Sequence, residues 1–346
     1  MSSPSVHDKS RFVRRLVAAA LMIAWLRQPS AADTPATEPA TPDPIAAPTP
    51  WLDLGTSPIA TANHATPERE HKLAAALTLG GLYAGFTTWT YFAWYRKHKP
   101  LSQFEWGGDG WFGPRTYAGG ADKLGHAWAT MSLARVGTEM LHQWGGYSKL
   151  TSTLVATALS EALFLGVEVK DGFYYEFSYG DAAFDTLGAL AAVALSLSPR
   201  LDELFDFRVE YWPSHEYRRQ FDGGNVNIAE DYSGETYLLA FHLGGIHQLR
   251  DARWGGWSRF VDVAVGYGTR GYKPDPPDGE PINKHHQELS FGLSLNLQGV
   301  ADWLFDGRSK PAQKIGHGMF EVFSFGYVPA YLHRTTPNGT VAPGGA

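Results

Sequence analysis

The chain changes its pattern of apolar and polar positions near residue 198. Before that point it holds long apolar segments broken by Gly or by single charged residues, which is typical of packed helices. After it, large apolar residues alternate with small or polar ones, which is typical of strands. We therefore expect an α+β fold: an N-terminal bundle of about four apolar helices followed by an antiparallel, outer-membrane-like β-sheet.

Five segments carry the two-residue period, and they are Phe207–Tyr211, Tyr237–Leu243, Val261–Tyr267, Leu289–Leu297 and Phe320–Tyr331. One face of each is apolar and aromatic, and the other is small or polar. Strands of outer-membrane proteins have this alternation, and strands of a soluble sandwich show a similar one. Five strands are too few to close a barrel alone, so the sheet must lean on the helices, on undetected strands or on another copy of the chain.

The first long apolar segment, Leu73–Tyr95, has no charged residue and contains Gly80, Gly81 and Gly85. Its length matches a membrane-spanning helix, and its small residues suit close helix packing. A buried central helix of a soluble bundle has the same composition. The sequence leaves both interpretations open.

The first 70 residues have the composition of an export signal and a linker. Residues 1–32 combine a basic start, an apolar run from Leu16 to Leu26 and small residues at the end, which is typical of a signal peptide cleaved after Ala32. An uncleaved anchor helix is the alternative. Residues 33–70 are rich in Pro, Ala and Thr and predict a linker. The further expected boundaries are a helical domain at 71–198, an antiparallel β domain at 199–334 and a disordered tail at 335–346.

Composition narrows the class of function. At 44% hydrophobic and 18% charged residues, the 346-residue chain has enough apolar side chains to fold. Its net charge of −6 and the lack of a basic cluster argue against a nucleic-acid partner. Because the sequence holds no cysteine, we expect neither disulfides nor thiolate metal sites, and no lipid-modified cysteine.

Acidic residues and one histidine recur in the apolar helices, and they are Asp122, His126, Glu161, Glu168, Asp181 and Asp185. Within each of three predicted helices the members are four or seven residues apart, so they lie on one face. An ionised side chain costs several kcal/mol to bury unless it is paired or bound, so such residues indicate a site. We expect the three faces to pack together, with the six groups within about 10 Å of one another.

Two of these residues also have a simpler structural explanation. Asp122 follows Gly-Gly-Ala and fits a helix N-cap. Ser178 and Asp181 fit a capping box at the start of the third helix. His126 and Asp185 have no such explanation. The sequence therefore leaves the roles of Asp122 and Asp181 open.

The acidic cluster needs positive charge. So many carboxylates cannot all stay ionised in a dry interior, and Lys123, a divalent cation or bound protons must compensate them. Carboxylate oxygens and one imidazole suit Mg, Mn, Ca or Zn. The candidate metal ligands are Asp122, His126, Asp181 and Asp185, and the candidate catalytic residues, which would activate water, are Glu161 and Glu168.

The order of motifs in this region resembles a known family. The motifs are Asp-Lys-Leu-Gly-His at 122–126, Glu168 with Asp171-Gly-Phe, and Phe-Ser-Tyr-Gly-Asp at 177–181 followed by Gly188. Over roughly residues 89–192 this order resembles the YfiM-like family, a domain of unknown function in bacterial envelope proteins predicted to be periplasmic or outer-membrane. The Asp-Lys-x-x-His element is also similar to VanZ-like membrane proteins.

The sequence departs from the YfiM-like pattern in two places. Asp185 stands where that family often has Asn, and the lipoprotein cysteine of some members is absent. The resemblance implies an envelope location and a shared site, and it implies no established reaction. Further motif residues of that site are Lys123, Asp171, Ser178 and Gly188.

Two functions fit these observations. The first is an exported cell-envelope membrane protein whose buried acidic and histidine cluster is structural or binds a ligand. The alternative is a metal-dependent hydrolase that acts on an envelope lipid or glycan. As cofactor we expect at most a divalent cation. As partners we expect membrane lipid, no nucleic acid, and either a second copy of the chain or another envelope protein, with the mature chain in the outer membrane or on its periplasmic side.

Other polar residues have simpler structural explanations, as ion pairs or surface groups. Arg135 and Glu139 are four residues apart and predict an ion pair on one helix face. The remaining histidines of the strand region lack ligand spacing and are interpreted as surface or lumen groups, and they are His242, His247, His285, His286 and His317.

Overall fold

The structure, a computed structural model, describes residues 71–107, 110–220, 227–275, 284–305, 323–324 and 330–337. The predicted signal peptide at 1–32 and linker at 33–70 lie outside the described residues, as do His317 and residues 338–346 of the predicted tail. Cleavage after Ala32 therefore stays a prediction.

Four long helices come first in the described chain, and they are α1 (Lys72–Thr90), α2 (Ala121–Glu139), α3 (Lys149–Tyr174) and α4 (Tyr179–Leu197). α1 and α2 each continue into a π-helical turn, at Tyr91–Tyr95 and Met140–Trp144. Serine side chains cap the other two, because Ser148 and Ser178 accept backbone N–H bonds at the starts of α3 and α4.

The start of α2 depends on a left-handed turn of the backbone. Ala118, Gly119 and Gly120 have φ angles of 49°, 64° and 88°. Glycine adopts this region without the strain that a Cβ causes. Gly120 holds the N-cap position of α2, and Asp122 lies inside the first turn. The N-cap interpretation of Asp122 is therefore wrong, and its side chain is available for other contacts.

Small residues let the helices approach closely. A Cβ at Gly188 of α4 would lie 2.2 Å from the backbone oxygen of Ala127 in α2, so glycine is needed there. A Cβ at Gly137 of α2 would lie 2.9 Å from the Cβ of Ala156 in α3. α2 therefore packs directly on both α3 and α4, with no room for larger side chains between them.

α1 lies at the edge of these helices. Ala75 and Leu79 are buried, whereas Leu73 and Leu77 are 71% and 67% exposed. A Cβ added at any of its three glycines would meet nothing within 4 Å, so those glycines make no close helix contact within the described chain. α1 is therefore not the buried central helix of a bundle.

Two helices among the described residues, α3 and α4, are long and apolar enough to cross a membrane by length and composition. A core helix of a soluble protein can pass the same test. Here only 39% of each apolar window is buried. Leu150 and Leu154 of α3 and Leu190 of α4 are at least half exposed. These helices thus turn large apolar side chains outward.

The described residues contain eight strands in two sheets. β1 (Trp106–Gly107) pairs in parallel with β2 (Phe177–Ser178) next to α4. The second sheet consists of β3 (Phe205–Tyr211), β4 (Glu235–His242), β5 (Val261–Arg270), β6 (His286–Leu295), β7 (Phe323–Ser324) and β8 (Ala330–Pro337). Its order is β7-β3-β4-β5-β6-β8, antiparallel except for the parallel pair of β3 and β7.

Short helical segments connect these strands. The α-helical ones are α5 (Pro199–Asp202), α6 (His215–Gln220), α7 (His247–Arg250) and α8 (Leu297–Phe305). The 3₁₀ turns are Tyr117–Gly120, Ile228–Glu230, Tyr232–Gly234, Leu243–Gly245 and Gly255–Phe260.

The large sheet is curled. Its two edge strands, β7 and β8, are consecutive in the chain, and six Cα steps from Ser324 to Ala330 reach at most about 21 Å. The five gaps of a flat six-stranded sheet would measure about 24 Å. The sheet therefore cannot be flat and must bend between these two edge strands.

The concave face of the large sheet is small and polar, and the convex face is apolar. In β5, Asp262, Ala264 and Gly266 are buried, whereas Val265 is 44% exposed. The convex residues of β3 and β4, such as Val209 and Tyr237, pack against α2. Further along the convex face the exposed apolar side chains are Leu239, Val265, Leu289, Phe291, Leu293 and Leu295.

The predicted mixture of helices with an antiparallel sheet is confirmed. The finer prediction, an N-terminal bundle of about four apolar helices joined to an outer-membrane-like sheet, stays a prediction. β8 reaches Pro337, so its last three residues fall inside the segment that was expected to be a disordered tail. The prediction of an ion pair between Arg135 and Glu139 is wrong, because Arg135 forms an ion pair with Asp202 at 2.6 Å and Glu139 forms one with Lys149.

Candidate functional site

A histidine and two carboxylates from three different helices meet between α2, α3 and α4. His126 Nδ1 lies 3.0 Å from Asp185 Oδ1, and His126 Nε2 lies 3.7 Å from Glu168 Oε1. One ligand atom from each residue can be chosen so that all three lie within 4.8 Å of one another. Glu168 and Asp185 are 1% and 0% exposed. The described chain therefore contains a buried acidic and histidine cluster.

Hydrogen bonds from neighbouring turns hold these side chains in place. Thr130 Oγ1 donates to Asp185 Oδ1 at 3.1 Å, and Ser160 Oγ donates to the Thr130 carbonyl at 2.9 Å. The backbone N–H of Ser178 donates to Glu168 Oε2 at 3.3 Å. The absence of a side chain at Gly188 sets the short distance between α2 and α4, as described above. The cluster is therefore fixed by packing and does not depend on flexible loops.

The cluster has unsatisfied capacity to accept positive charge. Asp185 Oδ2 is buried and has no hydrogen-bond partner among the residues that the structure describes. Burial alone would lower the pKa of His126, but the carboxylates of Asp181, Asp185 and Glu168 outweigh it and raise that pKa well above its usual value. The surroundings of His126 thus attract a cation or a proton.

Lys123 divides the predicted metal ligands into two groups. Its ammonium lies 3.2 Å from Asp122 Oδ2 and 3.2 Å from Asp181 Oδ1, and its side chain is fully buried. Asp122 and Asp181 therefore already have a cationic partner, whereas His126 contacts both Asp185 and Glu168. The sequence had placed Glu168 among the candidate catalytic residues, and its position here suits a ligand better.

The other predicted residues surround this core. Glu161 is partly exposed and accepts a hydrogen bond from Thr186 Oγ1 at 2.7 Å. Asp171 lies near Tyr95 close to the end of α3, and the Tyr95 hydroxyl donates to the Val167 carbonyl at 3.4 Å. Ser178 accepts a bond from the N–H of Asp181 at 3.2 Å, so it caps α4 while the Asp181 carboxylate contacts Lys123.

A second buried cluster lies on the concave face of the large sheet. His242 Nε2 is 2.8 Å from Asp206 Oδ2, and His242 Nδ1 is 2.7 Å from Asp262 Oδ1. Arg208 Nε donates to Asp206 at 3.0 Å, and its guanidinium reaches Asp262 at 3.6 Å. Asn296 Nδ2 donates to Asp262 at 2.8 Å. Two aspartates thus share an imidazole and a guanidinium.

The charges in this second cluster offset one another. Burial alone would lower the pKa of His242, but Asp206 and Asp262 outweigh it and raise that pKa to about 9. Burial alone would raise the pKa of Asp206, but Arg208 and His242 outweigh it and hold that pKa well below its usual value. The imidazole of His242 and the guanidinium of Arg208 therefore face the carboxyl groups of Asp206 and Asp262.

Sequence reasoning missed this second cluster. Of the two positions predicted for His242, surface or lumen, the surface one is wrong, because its side chain is 7% exposed and lies between Asp206 of β3 and Asp262 of β5. The sequence did contain an indication of this cluster, because the two-residue period of a strand puts Asp206 and Arg208 on one face of β3. The pairing register then aligns His242 with Asp262 across β4 and β5.

Comparison with known proteins covers the helical part. Residues 108–197 match a family model described as a predicted periplasmic lipoprotein of the group DUF2279. The match includes every residue of the candidate site on α2, α3 and α4. It supports an uncharacterised periplasmic protein of the cell envelope as the class of this chain. No curated protein and no solved structure matches the chain.

Proposed function

We propose that this chain is an exported cell-envelope protein whose helical part binds one divalent cation through His126, Glu168 and Asp185. The observation that carries the proposal is the convergence of these three groups within 4.8 Å. A second, buried oxygen of Asp185 lacks a hydrogen-bond partner in the described chain. Such an oxygen costs free energy until it receives a proton, a donor or a metal ion.

The donor set selects the class of cation. Two carboxylates and one imidazole suit Mn²⁺, Zn²⁺, Mg²⁺ or Ca²⁺, and they do not suit a soft metal. The carboxylic groups of Asp122, Glu168, Asp181 and Asp185 belong to the cluster, and Lys123 carries one positive charge against them. A divalent cation would supply positive charge to the carboxylates, which otherwise comes from bound protons.

Manganese titration of the purified protein tests this proposal. We expect one Mn²⁺ per wild-type chain by calorimetry and elemental analysis. His126→Ala and Asp185→Asn should each weaken binding by more than the ~10- to 100-fold that loss of an outer hydrogen-bond partner causes. His98→Ala, at an exposed position outside the cluster, is the matched control and should bind like the wild type. A wild-type chain without bound metal would end the proposal.

We also propose that lipid covers the exposed apolar side chains of the helices and of the convex sheet face. Large apolar side chains face outward on α1, α3, α4 and β6, while charged groups are buried, which is the reverse of a soluble protein. Aromatic rings gather at one end of the helices, where Tyr95 contacts Tyr174 and Trp106 stacks on Tyr179. Trp and Tyr prefer the membrane–water interface.

The finer location within the envelope belongs to this proposal. Apolar helices favour the inner membrane and alternating strands favour the outer membrane. We propose the outer membrane, reached after removal of residues 1–32, because the Pro-rich linker and the aromatic alternating strands are typical of it. Terminal sequencing should find a mature chain that starts at Asp33, recovered in salt-washed outer membranes. Recovery in the soluble periplasm would contradict the lipid contact, and an intact N-terminus would contradict the cleaved signal peptide.

A metal-dependent hydrolase for an envelope lipid or glycan is the second candidate. The observation that favours it is the number of protein ligands, because three ligands leave a position for water on a catalytic metal. His126 is 19% exposed and gives that position a route to solvent. Glu161 is then the base. Metal-dependent ester hydrolysis that is lost in Glu161→Gln with metal still bound would establish this candidate.

A further inference from the structure

We infer that Lys123 is a built-in cation that fills a second position of the acidic cluster and limits the helices to one bound divalent ion. The inference rests on the proposed function, because it concerns how many cations the same cluster takes. It assigns Lys123 a role in specificity that is separate from the three proposed ligands.

The contacts of Lys123 are those of a bound cation. Its ammonium lies 3.2 Å from an oxygen of Asp122 and 3.2 Å from an oxygen of Asp181. The two carboxylates come from the first turns of α2 and α4. The lysine side chain is fully buried, so its charge is held among carboxylates without bulk water.

The surrounding backbone is shaped for this side chain. A Cβ at Gly180 would lie 2.6 Å from Lys123 Cε and 3.0 Å from the carbonyl oxygen of Gly110. Any larger residue at position 180 would therefore displace the lysine. Ser178 caps the backbone N–H of Asp181, so the Asp181 carboxylate is not needed as a cap and accepts from Lys123 instead. The position is thus built around an ammonium group.

The lysine position and the proposed metal position are neighbours. Asp122 precedes His126 by four residues on α2, and Asp181 precedes Asp185 by four on α4. Four residues advance a helix by about 6 Å, so the two positions lie about one turn apart along both helices. At this spacing the two cations would not share a ligand oxygen.

Charge explains why removal of the lysine should admit a second ion. One divalent cation and one ammonium supply three positive charges to four carboxylates. Without the ammonium, Asp122 and Asp181 form a buried carboxylate pair, which is a hard oxygen site of the kind that Mn²⁺ takes. A second divalent cation would then bring four positive charges to four carboxylates.

Manganese stoichiometry of the purified full chain tests this inference. We expect one Mn²⁺ in the wild type and two in Lys123→Ala, measured by elemental analysis after gel filtration. Lys149→Ala is the matched control, because Lys149 pairs with Glu139 outside the cluster, and it should keep one Mn²⁺. If Lys123→Ala does not fold without metal, the neutral Lys123→Gln and purification in the presence of Mn²⁺ give the same count.

The outcomes separate the inference from the proposed function. One Mn²⁺ in the wild type and one in both Lys123 variants would overturn the inference and leave the proposed function standing. No Mn²⁺ in the wild type and one in Lys123→Ala would support the role of Lys123 and overturn the proposed function. Two Mn²⁺ in the wild type would overturn the inference, and none in any variant would overturn both.

Discussion

Two histidines of the described chain each lie between two carboxylates, and the two differ in how their charge is balanced. His242 bridges Asp206 and Asp262, and the guanidinium of Arg208 contacts the same two aspartates. His126 contacts Glu168 and Asp185, while the nearby lysine is engaged by two further carboxylates. The sheet cluster therefore contains its own counter-ions, and the helical cluster is short of positive charge.

This difference indicates that the sheet cluster is structural and that the helical cluster is a binding site. In the sheet cluster every carboxylate faces a protein cation, so a further cation would gain little. Asp262 Oδ2 in the sheet cluster and Asp185 Oδ2 in the helical cluster are both buried without a hydrogen bond to the described residues. Asp262 Oδ2, however, lies 3.6 Å from the Arg208 guanidinium, whereas His126 beside Asp185 remains 19% exposed. The same side-chain types thus support a structural role in one cluster and a binding role in the other. The role depends on whether a long basic side chain contacts the carboxylates that flank the histidine, as Arg208 does and Lys123 does not.

The largest expected effect comes from removing the cation of the sheet cluster. Arg208→Met leaves Asp206 and Asp262 with fewer partners in a buried place and should reduce the free energy of unfolding by about 3–5 kcal/mol. Equilibrium unfolding in urea, with detergent present, measures it. Mn²⁺ binding by the helices should remain. The exposed Arg259→Met is the control and should stay within about 0.5 kcal/mol of the wild type. A similar small loss in Arg208→Met would remove the distinction between the clusters.

A pH series gives the next largest effect. The pKa of His242 is raised to about 9 from an ordinary value near 6.5, so its charged form stabilises the fold. This contribution is complete below about pH 6.5 and disappears as the pH rises through 9, a loss of about 3 kcal/mol. The measurement is the unfolding free energy of wild type and His242→Gln between pH 6 and 10. An equal fall in both proteins would argue against a buried imidazolium.

The smallest effect tests the supports of the helical cluster. Thr130→Val removes the hydroxyl that donates to Asp185 and should weaken Mn²⁺ binding by about 10-fold or somewhat more, as loss of an outer partner does. Thr138→Val is the matched control, because its buried hydroxyl bonds the Ala134 carbonyl of the same helix away from the cluster. Calorimetric titration compares the two. Equal affinities would mean that Thr130 does not orient the Asp185 carboxylate.

Local pattern was sufficient to predict most of the elements. Long apolar segments broken by Gly or by single charged residues predicted the long helices, and the period of two predicted the strands, because burial of one face imposes these periods on any chain. Spacing along a helix also identified His126 and Asp185 as members of one buried group. These properties depend on residues within a few turns of one another, which is why a linear sequence contains them.

Only the tertiary structure decided which charges meet. Lys123 could have faced any acid within its reach, and the close approach of α2 and α4 at Gly188 directs it to Asp122 and Asp181. His242 looked like an isolated residue until strand register and curling enclosed it with Asp206. Electrostatic contacts act across a few ångströms between segments far apart in the chain, so their pairing is fixed by packing and not by sequence spacing.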